Sequence, residues 1–282
     1  MVKRAPGTSA TRGLINHLIL IAGTAFILLP VIVMIASSTH DSGKLVTDGV
    51  QLLPGMQGGQ NYARVSALEA GFTNQITALA MLRNSLIIGF GVALLTTVFS
   101  LMAAFSLVFF RLPAAGVLFW LTMLTLLLPL ESRFVTTFQV AATLGLVNTF
   151  AGMILPALAV TLGTLFFRQL FLSFPVELVE AARLDGAGPV RFFLDFVVPL
   201  SRLRGGAIFV VSFMIGWNQY LWPLILSTDE TRYTVMRGLR LIGLESGPGM
   251  ALAVLTLLPP LVLVVLFQRG LKTTFSDFKA TN

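Results

Sequence analysis

A short polar segment, PVELVEAARLDGAGPVR at 175–191, interrupts a chain that is 56% hydrophobic. Glu177 and Glu180 fall in the first turns of a predicted helix, where carboxylates interact favourably with the helix dipole. Gly186 and Gly188 are expected to end this helix and let the chain turn. Residues of these types offer recognition chemistry, because an exposed acidic helix can dock onto another protein.

Two interpretations of this helix remain open from its residues alone. Ala181 and Ala182 form a small face that allows a partner protein to approach closely, and this favours a docking role. Leu178 and Leu184 also suit an amphipathic helix that lies on the bilayer surface.

A second group of polar residues lies inside apolar stretches. Glu131 and Arg133 follow a long uncharged run, and a charged side chain at the bilayer centre costs roughly 2.5–3.5 kcal/mol on insertion scales. Such groups normally face a cavity or a partner, and a guanidinium can hold phosphate oxygens through paired donors. The alternatives are that these side chains reach the lipid headgroups or that Arg133 holds helices together.

The motif GWNQYLWPL places Trp217, Asn218, Gln219 and Tyr220 in the fifth apolar stretch. Their polar groups need partners at membrane depth, either in a wet pathway or on another helix, and Pro223 is expected to kink the helix beyond them. Trp222 is interpreted as an anchor at the membrane interface. We expect Asn218 and Tyr220 to offer neutral hydrogen bonds to a solute.

Several kinds of chemistry are not predicted. The sequence has no GxxxxGK[ST] phosphate loop, so any ATP must bind another polypeptide. It has no cysteine, and His17 and His40 lie at opposite ends of one apolar stretch, so no metal site is expected. Because we find neither a nucleophile with its base nor an aromatic-interleaved basic stripe, the chain is predicted to be non-catalytic, without a cofactor of its own and without a nucleic-acid partner.

The elements that position these residues follow from composition. Only 11% of the residues are charged, and long apolar runs recur without the alternation of outer-membrane strands. A helix needs about 20 residues to cross the hydrocarbon layer. The sequence therefore predicts an all-α polytopic membrane protein, a single domain over 1–282, with six spans at about 14–36, 84–110, 113–143, 150–168, 205–227 and 248–268.

The orientation follows from the positively charged residues. If the N-terminus is cytoplasmic, twelve of the 19 Lys and Arg residues lie on the cytoplasmic side, which favours cytoplasmic positions for both termini. The segment at 175–191 is then cytoplasmic. The polar segments at 37–82 and 228–247 lie outside, where a soluble partner can reach them.

The segment that begins at Glu180 resembles the EAA loop of binding-protein-dependent ABC importers, in which Glu-Ala-Ala is followed by three residues, Gly, nine residues and Ile-x-Leu-Pro. The residues in this register are Glu180, Ala181, Ala182, Gly186 and Pro199, and Phe196 and Val198 take the Ile and Leu positions. The similarity continues through FRQLF, GWNQYLWPL and LLPPLVLVVLFQRGL. The chain is thus similar to carbohydrate-type importer permeases of the maltose group, and through LPLESR it most resembles those of sn-glycerol-3-phosphate importers.

This resemblance implies a type I ABC importer permease in the inner membrane of a bacterium, inserted in membrane lipid. It implies a heterodimer with a homologous second permease, two ATPase subunits that bind ATP and Mg²⁺, and an extracytoplasmic substrate-binding protein. The coupling loop spans approximately 173–200, and the residues implied to engage the ATPase are Glu180, Ala181, Ala182, Asp185 and Gly186. The residues predicted to line the substrate pathway are Glu131, Arg133, Trp217, Asn218 and Tyr220.

The solute implied by the resemblance is glycerol 3-phosphate or a glycerophosphodiester. The same machinery importing a neutral mono- or oligosaccharide is an alternative, since Arg133 would then only hold helices together. A secondary transporter is a further alternative, but such proteins usually show two repeated halves, which this sequence lacks.

Overall fold

A computed structural model describes residues 7–67, 75–110, 112–127, 131–158 and 160–280, without the side chains of residues 7–11, 131 and 269–280. Over these ranges the chain consists of helices, turns and loops with no strand, which confirms the all-α prediction. The chain divides into two compact units. Unit 1 comprises Met1–Ala78 and Leu239–Thr256, and unit 2 comprises Leu79–Gly238 and Leu257–Asn282.

Unit 1 contains helices α1 (Gly7–Ser37), α2 (Ser42–Asp48) and α3 (Gly58–Ser66). The buried amide of Asn61 ties α3 to the end of α1, because its Nδ2 donates to the carbonyls of Ser38 (2.9 Å) and His40 (2.8 Å).

The single-domain prediction stays a prediction.

Unit 2 holds most of the remaining helices. In chain order they are α4 (Ala78–Phe109, whose first residue belongs to unit 1), α5 (Ala115–Leu126), a 3₁₀ turn (Glu131–Arg133), α6 (Phe134–Thr143), α7 (Phe150–Ile154) with a 3₁₀ turn (Leu155–Ala157), α8 (Val160–Leu172), α9 (Val176–Leu184), α10 (Pro189–Phe192), a π-helical turn (Phe193–Val197), α11 (Val198–Trp217), α12 (Leu221–Leu226) and a 3₁₀ turn (Glu230–Arg232). Helices α13 (Val235–Ile242) and α14 (Gly247–Ala280) pass from one unit into the other.

Four helical stretches in the described chain are long and apolar enough to cross a membrane: Arg12–Ser37, Ala78–Phe109, Pro189–Trp217 and Gly247–Gln268. There are five if Phe150–Ala157 and Val160–Leu172, bent by 49°, form one broken span. The stretch predicted at 113–143 contains two shorter apolar helices, α5 and α6. The count of six spans and the cytoplasmic position of both termini stay predictions.

A close crossing of α4 and α11 holds the end of α11 in place. A Cβ atom on Gly216 would lie 2.9 Å from the Val92 Cβ and 3.1 Å from the Gly89 Cα. Small residues of this kind let helix backbones approach in membrane proteins. One turn earlier, a Cβ on Gly89 would meet the ring of Phe213 at 2.8 Å. The two glycines therefore fix the crossing of α4 and α11 near the end of α11, and the cavity described below begins at that point.

Candidate functional site: a cavity at a helix break and a capped surface helix

The fifth predicted stretch is interrupted in the middle of its polar motif. Helix α11 ends at Trp217 and α12 begins at Leu221, so the residues at 218–220 are not helical. Pro223 explains the position of this break, because a proline lacks a backbone N–H and its ring clashes with the carbonyl four residues earlier, here that of Gln219. The prediction placed a kink beyond the polar residues of the motif, and this position is wrong. The helix breaks at 218–220, before Pro223.

This break forms one wall of a cavity of about 540 Å³. The opposite wall comes from the start of α6 and from the 3₁₀ turn after α7. The lining residues are Arg133, Phe134, Thr137, Pro156, Ala157, Ile215, Asn218, Gln219, Tyr220, Leu221 and Trp222. Three of the residues predicted for a solute pathway, Arg133, Asn218 and Tyr220, thus meet in one cavity.

Arg133 brings a positive charge to this mostly apolar cavity. It ends the 3₁₀ turn Glu131–Arg133 and is the N-cap residue of α6. Its side chain is partly buried. Within the part of the chain that the structure describes, no carboxylate forms an ion pair with it. Among the described side chains, its guanidinium donors are therefore not paired with a carboxylate. The side chain of Glu131 lies outside the described part, so its predicted role stays a prediction.

Trp217 does not line the cavity. Its side chain is only 2% exposed, and its ring stacks on that of Phe213 with 5.6 Å between the centroids. It packs in the interior of unit 2 at the point where α11 ends. Trp217 therefore packs in the protein interior, whereas Asn218, the next residue, lines the cavity.

Two further cavity residues, Gln219 and Trp222, were not among those predicted to line the substrate pathway, although Gln219 was recognised as a polar residue at membrane depth. Trp222 was interpreted as an interface anchor, but it is buried and its Nε1 donates to the carbonyl of Gly152 (3.0 Å). Gln219 has a buried Oε1 without a hydrogen-bond partner among the described residues. The position of Pro223 was the available signal, because it predicts an open backbone at the residue four places earlier.

Contacts distant in sequence hold α12 in place. A Cβ on Gly152 would collide with the Leu146 carbonyl and come within 2.7 Å of the Leu226 side chain, so only glycine fits where Trp222 docks. At the other end of α12, the Oδ1 of Asn148 accepts hydrogen bonds from the backbone N–H groups of Thr228 (2.7 Å) and Asp229 (3.0 Å). The cavity wall thus depends on residues about 70 to 80 positions apart.

The predicted surface helix is α9, Val176–Leu184, with Glu177 in its first turn. It ends in a Schellman motif: Ala187 N–H donates to the carbonyl of Ala182 and Gly186 N–H to that of Arg183, both at 3.0 Å. Gly186 adopts φ +72°, which glycine reaches without strain. Gly188 has φ −66°, so only the first of the two glycines is required by the turn.

The residues predicted to engage an ATPase lie on different sides of α9. Glu180, Ala181, Asp185 and Gly186 are exposed. Ala182 is 2% exposed and packs against a cluster that contains Phe105, Phe171 and Phe192. The expectation of one small face formed by Ala181 and Ala182 is therefore wrong, because successive helical residues point about 100° apart and the second one belongs to the core beneath the helix.

In the described part of the chain, no group of three or more His, Asp or Glu side chains is close enough to hold a metal ion. The polar side-chain groups of the lining residues are one guanidinium, two amides, two hydroxyls and the indole N–H of Trp222, which already donates to Gly152. This set suits the binding of an anion that also carries hydroxyl groups.

No family model matches the chain. Among curated proteins, it is 39% identical over 260 residues to the sn-glycerol-3-phosphate transport system permease protein UgpE of Yersinia pestis bv. Antiqua, with 90% of this chain and 92% of the relative covered. The protein of the same name from Salmonella typhi is 40% identical over 262 residues, with the same coverage of both chains.

A solved structure has the same fold at lower identity. It is a chain of a bacterial ABC transporter involved in the import of the acidic polysaccharide alginate. The TM-score is 0.78 at 18% identity, and the match covers 95% of this chain and 99% of that one.

Proposed function

This chain belongs to the family of sn-glycerol-3-phosphate transport system permease proteins, and on this basis we propose that it is a permease subunit of an ATP-driven importer of glycerol 3-phosphate or glycerophosphodiesters. It pairs with a homologous second permease, and two ATPase subunits bind ATP and Mg²⁺ and supply the energy. An extracytoplasmic binding protein delivers the solute. The chain crosses the inner membrane six times, with both termini in the cytoplasm.

The observation that carries the proposed solute is the position of Arg133. Arg133 lines a cavity of about 540 Å³, and its guanidinium has no ion-pair partner among the described side chains. This cavity volume lies within the range of small-molecule sites, about 300–1,000 Å³. A guanidinium binds phosphate oxygens through two parallel hydrogen bonds. Asn218 and Tyr220 face the same cavity and supply neutral groups for hydroxyls. Glycerol 3-phosphate matches both kinds of group.

The exposed part of α9 is the proposed contact with the ATPase. Glu180 and Asp185 offer carboxylates to basic groups or backbone donors of the partner. Gly186 shapes the turn that brings the chain back, and Ala182 anchors the helix on the phenylalanine cluster. A push on α9 is then transmitted to the helices beneath it.

The solute is tested by reconstituting the complete importer and comparing uptake of labelled glycerol 3-phosphate with uptake of labelled maltose. We expect uptake of the phosphate ester only. Arg133→Gln should raise the glycerol 3-phosphate concentration for half-maximal uptake about 10- to 100-fold, because a hydrogen bond to a charged group contributes about 1.5–3 kcal/mol.

Arg202→Gln is the matched control, because Arg202 is exposed on α11 and does not line the cavity. It should leave uptake unchanged. Uptake of maltose but not of glycerol 3-phosphate would show that the solute is a neutral sugar. An unchanged half-maximal concentration in Arg133→Gln would remove Arg133 from the site.

The proposed topology is tested with single cysteines, since the chain contains none. Gly188→Cys and Gln60→Cys each place a cysteine at an exposed position. An impermeant thiol reagent applied from the cytoplasmic side should label position 188 and not position 60. The reverse pattern would invert the orientation.

A further inference from the structure

Thr137 has an accessible hydroxyl on the cavity side of α6. Thr136 and Thr143 of the same helix donate to the carbonyls of Arg133 (3.0 Å) and Val140 (2.8 Å). The hydroxyl of Thr137, in contrast, has no hydrogen-bond partner among the described residues. The residue is half-buried, yet its Oγ1 is not shielded from solvent. This hydroxyl is therefore open to a partner from outside the chain.

The position of Thr137 on α6 directs it to the cavity. The N-cap residue Arg133 and the helical residues Phe134 and Thr137 line the cavity. At about 100° per residue, Thr137 lies between the other two around the helix axis, in the middle of the stripe that lines the cavity. Ala141, one turn further along this stripe, is buried, whereas Thr136 outside the stripe is exposed. The accessible part of Thr137 therefore belongs to the cavity.

A hydroxyl at this position complements the neighbouring guanidinium. Thr137 follows Arg133 by one turn, about 6 Å along the axis, and helical side chains lean towards the N-terminus of their helix. The hydroxyl thus leans over the turn that begins at Arg133. A phosphate that a guanidinium holds through two parallel hydrogen bonds uses two terminal oxygens, and a phosphate monoester has a third. A threonine hydroxyl is a donor for that third oxygen.

We propose that Thr137 is a specificity-determining residue, whose hydroxyl donates to the third terminal oxygen of a phosphate monoester bound at Arg133. This inference rests on the proposed function, in which Arg133 binds the phosphate of the solute. It narrows that function, because a phosphodiester has only two terminal oxygens and leaves the hydroxyl without an anionic acceptor of its own. The cavity then prefers glycerol 3-phosphate to a glycerophosphodiester.

The additional negative charge of the monoester also favours it at a guanidinium, so a preference in the wild-type protein has two sources. The contribution of the hydroxyl is the change in this preference when the hydroxyl alone is removed. Thr137→Val replaces the hydroxyl with a methyl group and leaves the charge of Arg133 in place. Thr137→Ser keeps the hydroxyl and removes only the methyl group.

The test measures binding of labelled glycerol 3-phosphate to the purified complex of both permeases and the ATPase subunits. The binding protein is left out so that its own preference does not enter. Unlabelled glycerol 3-phosphate and its methyl ester, which is a phosphodiester, are the competitors. The wild-type complex should prefer glycerol 3-phosphate at least tenfold, since a hydrogen bond to a charged group changes binding by about that factor.

Thr137→Val should weaken binding of glycerol 3-phosphate about tenfold and binding of the methyl ester less than threefold, because only the monoester loses its hydrogen bond to the hydroxyl. Thr137→Ser should keep the wild-type preference. Thr136→Val is the matched control, because it removes a neighbouring hydroxyl that is exposed and does not line the cavity. It should bind both competitors like the wild type.

The possible failures are distinguishable. A wild-type complex that does not bind glycerol 3-phosphate, or whose affinity is unchanged in Arg133→Gln, would refute the proposed function and this inference together. If binding depends on Arg133, equal wild-type affinities for the two competitors would refute the role of Thr137 alone. A monoester preference that survives in Thr137→Val would do the same.

Discussion

The chain turns out of a helix at Gly186 and again at 218–220, and the two interruptions are held in different ways. The Schellman motif at the end of α9 closes within six residues, through backbone hydrogen bonds that Gly186 makes possible. The break between α11 and α12 is induced locally by Pro223, but the geometry of its wall depends on Gly152 and Asn148, far away in the sequence.

This difference teaches how the two regions can be damaged. A surface helix with a local cap keeps its shape while it moves against a partner, which suits a coupling element. A cavity wall assembled from distant residues loses its geometry when any supporting contact is lost. Substitutions at glycine separate the two regions, because each region needs one glycine for a different reason.

The largest effect is expected for Gly152→Ala. The added Cβ collides with the Leu146 carbonyl and the Leu226 side chain, so α7 and α12 must separate and the hydrogen bond to Trp222 is lost. Overpacking of this kind costs about 1–3 kcal/mol. We expect a lower melting temperature of the purified complex and loss of glycerol 3-phosphate binding.

Gly116→Ala is its control, because a Cβ at this exposed position of α5 has nothing within 4 Å. Alanine should leave the melting temperature unchanged or raise it, since glycine weakens a helix by roughly 0.5–1 kcal/mol. Equal melting temperatures for Gly152→Ala and wild type would contradict the account of the distant supports.

The next effect is expected for Gly186→Ala. Alanine in the left-handed region costs about 1–2 kcal/mol, although the space around the position is open. The cap of α9 should loosen, so less ATPase co-purifies with the permease and uptake falls, whereas glycerol 3-phosphate binding in the cavity is kept. Gly188→Ala has an ordinary φ and should behave like wild type. If both variants retained the ATPase equally, the left-handed turn would not matter for coupling.

A smaller effect is expected for Pro223→Ala, which tests the local part of the helix break. Without the proline ring, a continuous helix through Gln219 is relieved of a penalty of about 3 kcal/mol. The break should close in part, and a cysteine at position 219 should react more slowly with a small thiol reagent than it does in the parent protein. An unchanged labelling rate would mean that the tertiary contacts alone hold the break open.

The smallest effect is expected for Asp195→Asn. This change removes the ion pair with Arg191 at 3.3 Å, in which both side chains are more than half exposed. Exposed pairs four residues apart on a helix contribute about 0.3–0.5 kcal/mol at most. Melting temperature and uptake should stay close to wild type. A large loss of uptake would place Asp195 in the coupling surface beside Glu180.

Predictions from local sequence features were correct where a single residue or segment sets the backbone conformation. The predicted helix in 175–191, its end at Gly186 and the apolar stretches within α1, α4 and α14 follow from composition, dipole and turn chemistry, and the structure confirms these elements. The same rules gave a wrong position for the break near Pro223, because the clash of a proline falls four residues earlier than the proline itself.

The sequence by itself determined the all-helical membrane class, the polar loop helix and the presence of Arg133, Asn218 and Tyr220 inside apolar stretches. Each of these is a property of a single segment, set by its hydrophobicity, charge and turn residues. Only the tertiary structure decided that Arg133, just before α6, faces the break after α11, that Trp217 packs inside while Gln219 lines the cavity, and that Ala182 belongs to the core. Those outcomes depend on which helices pack together, and side chains on one helix point to different neighbours only after the packing is fixed.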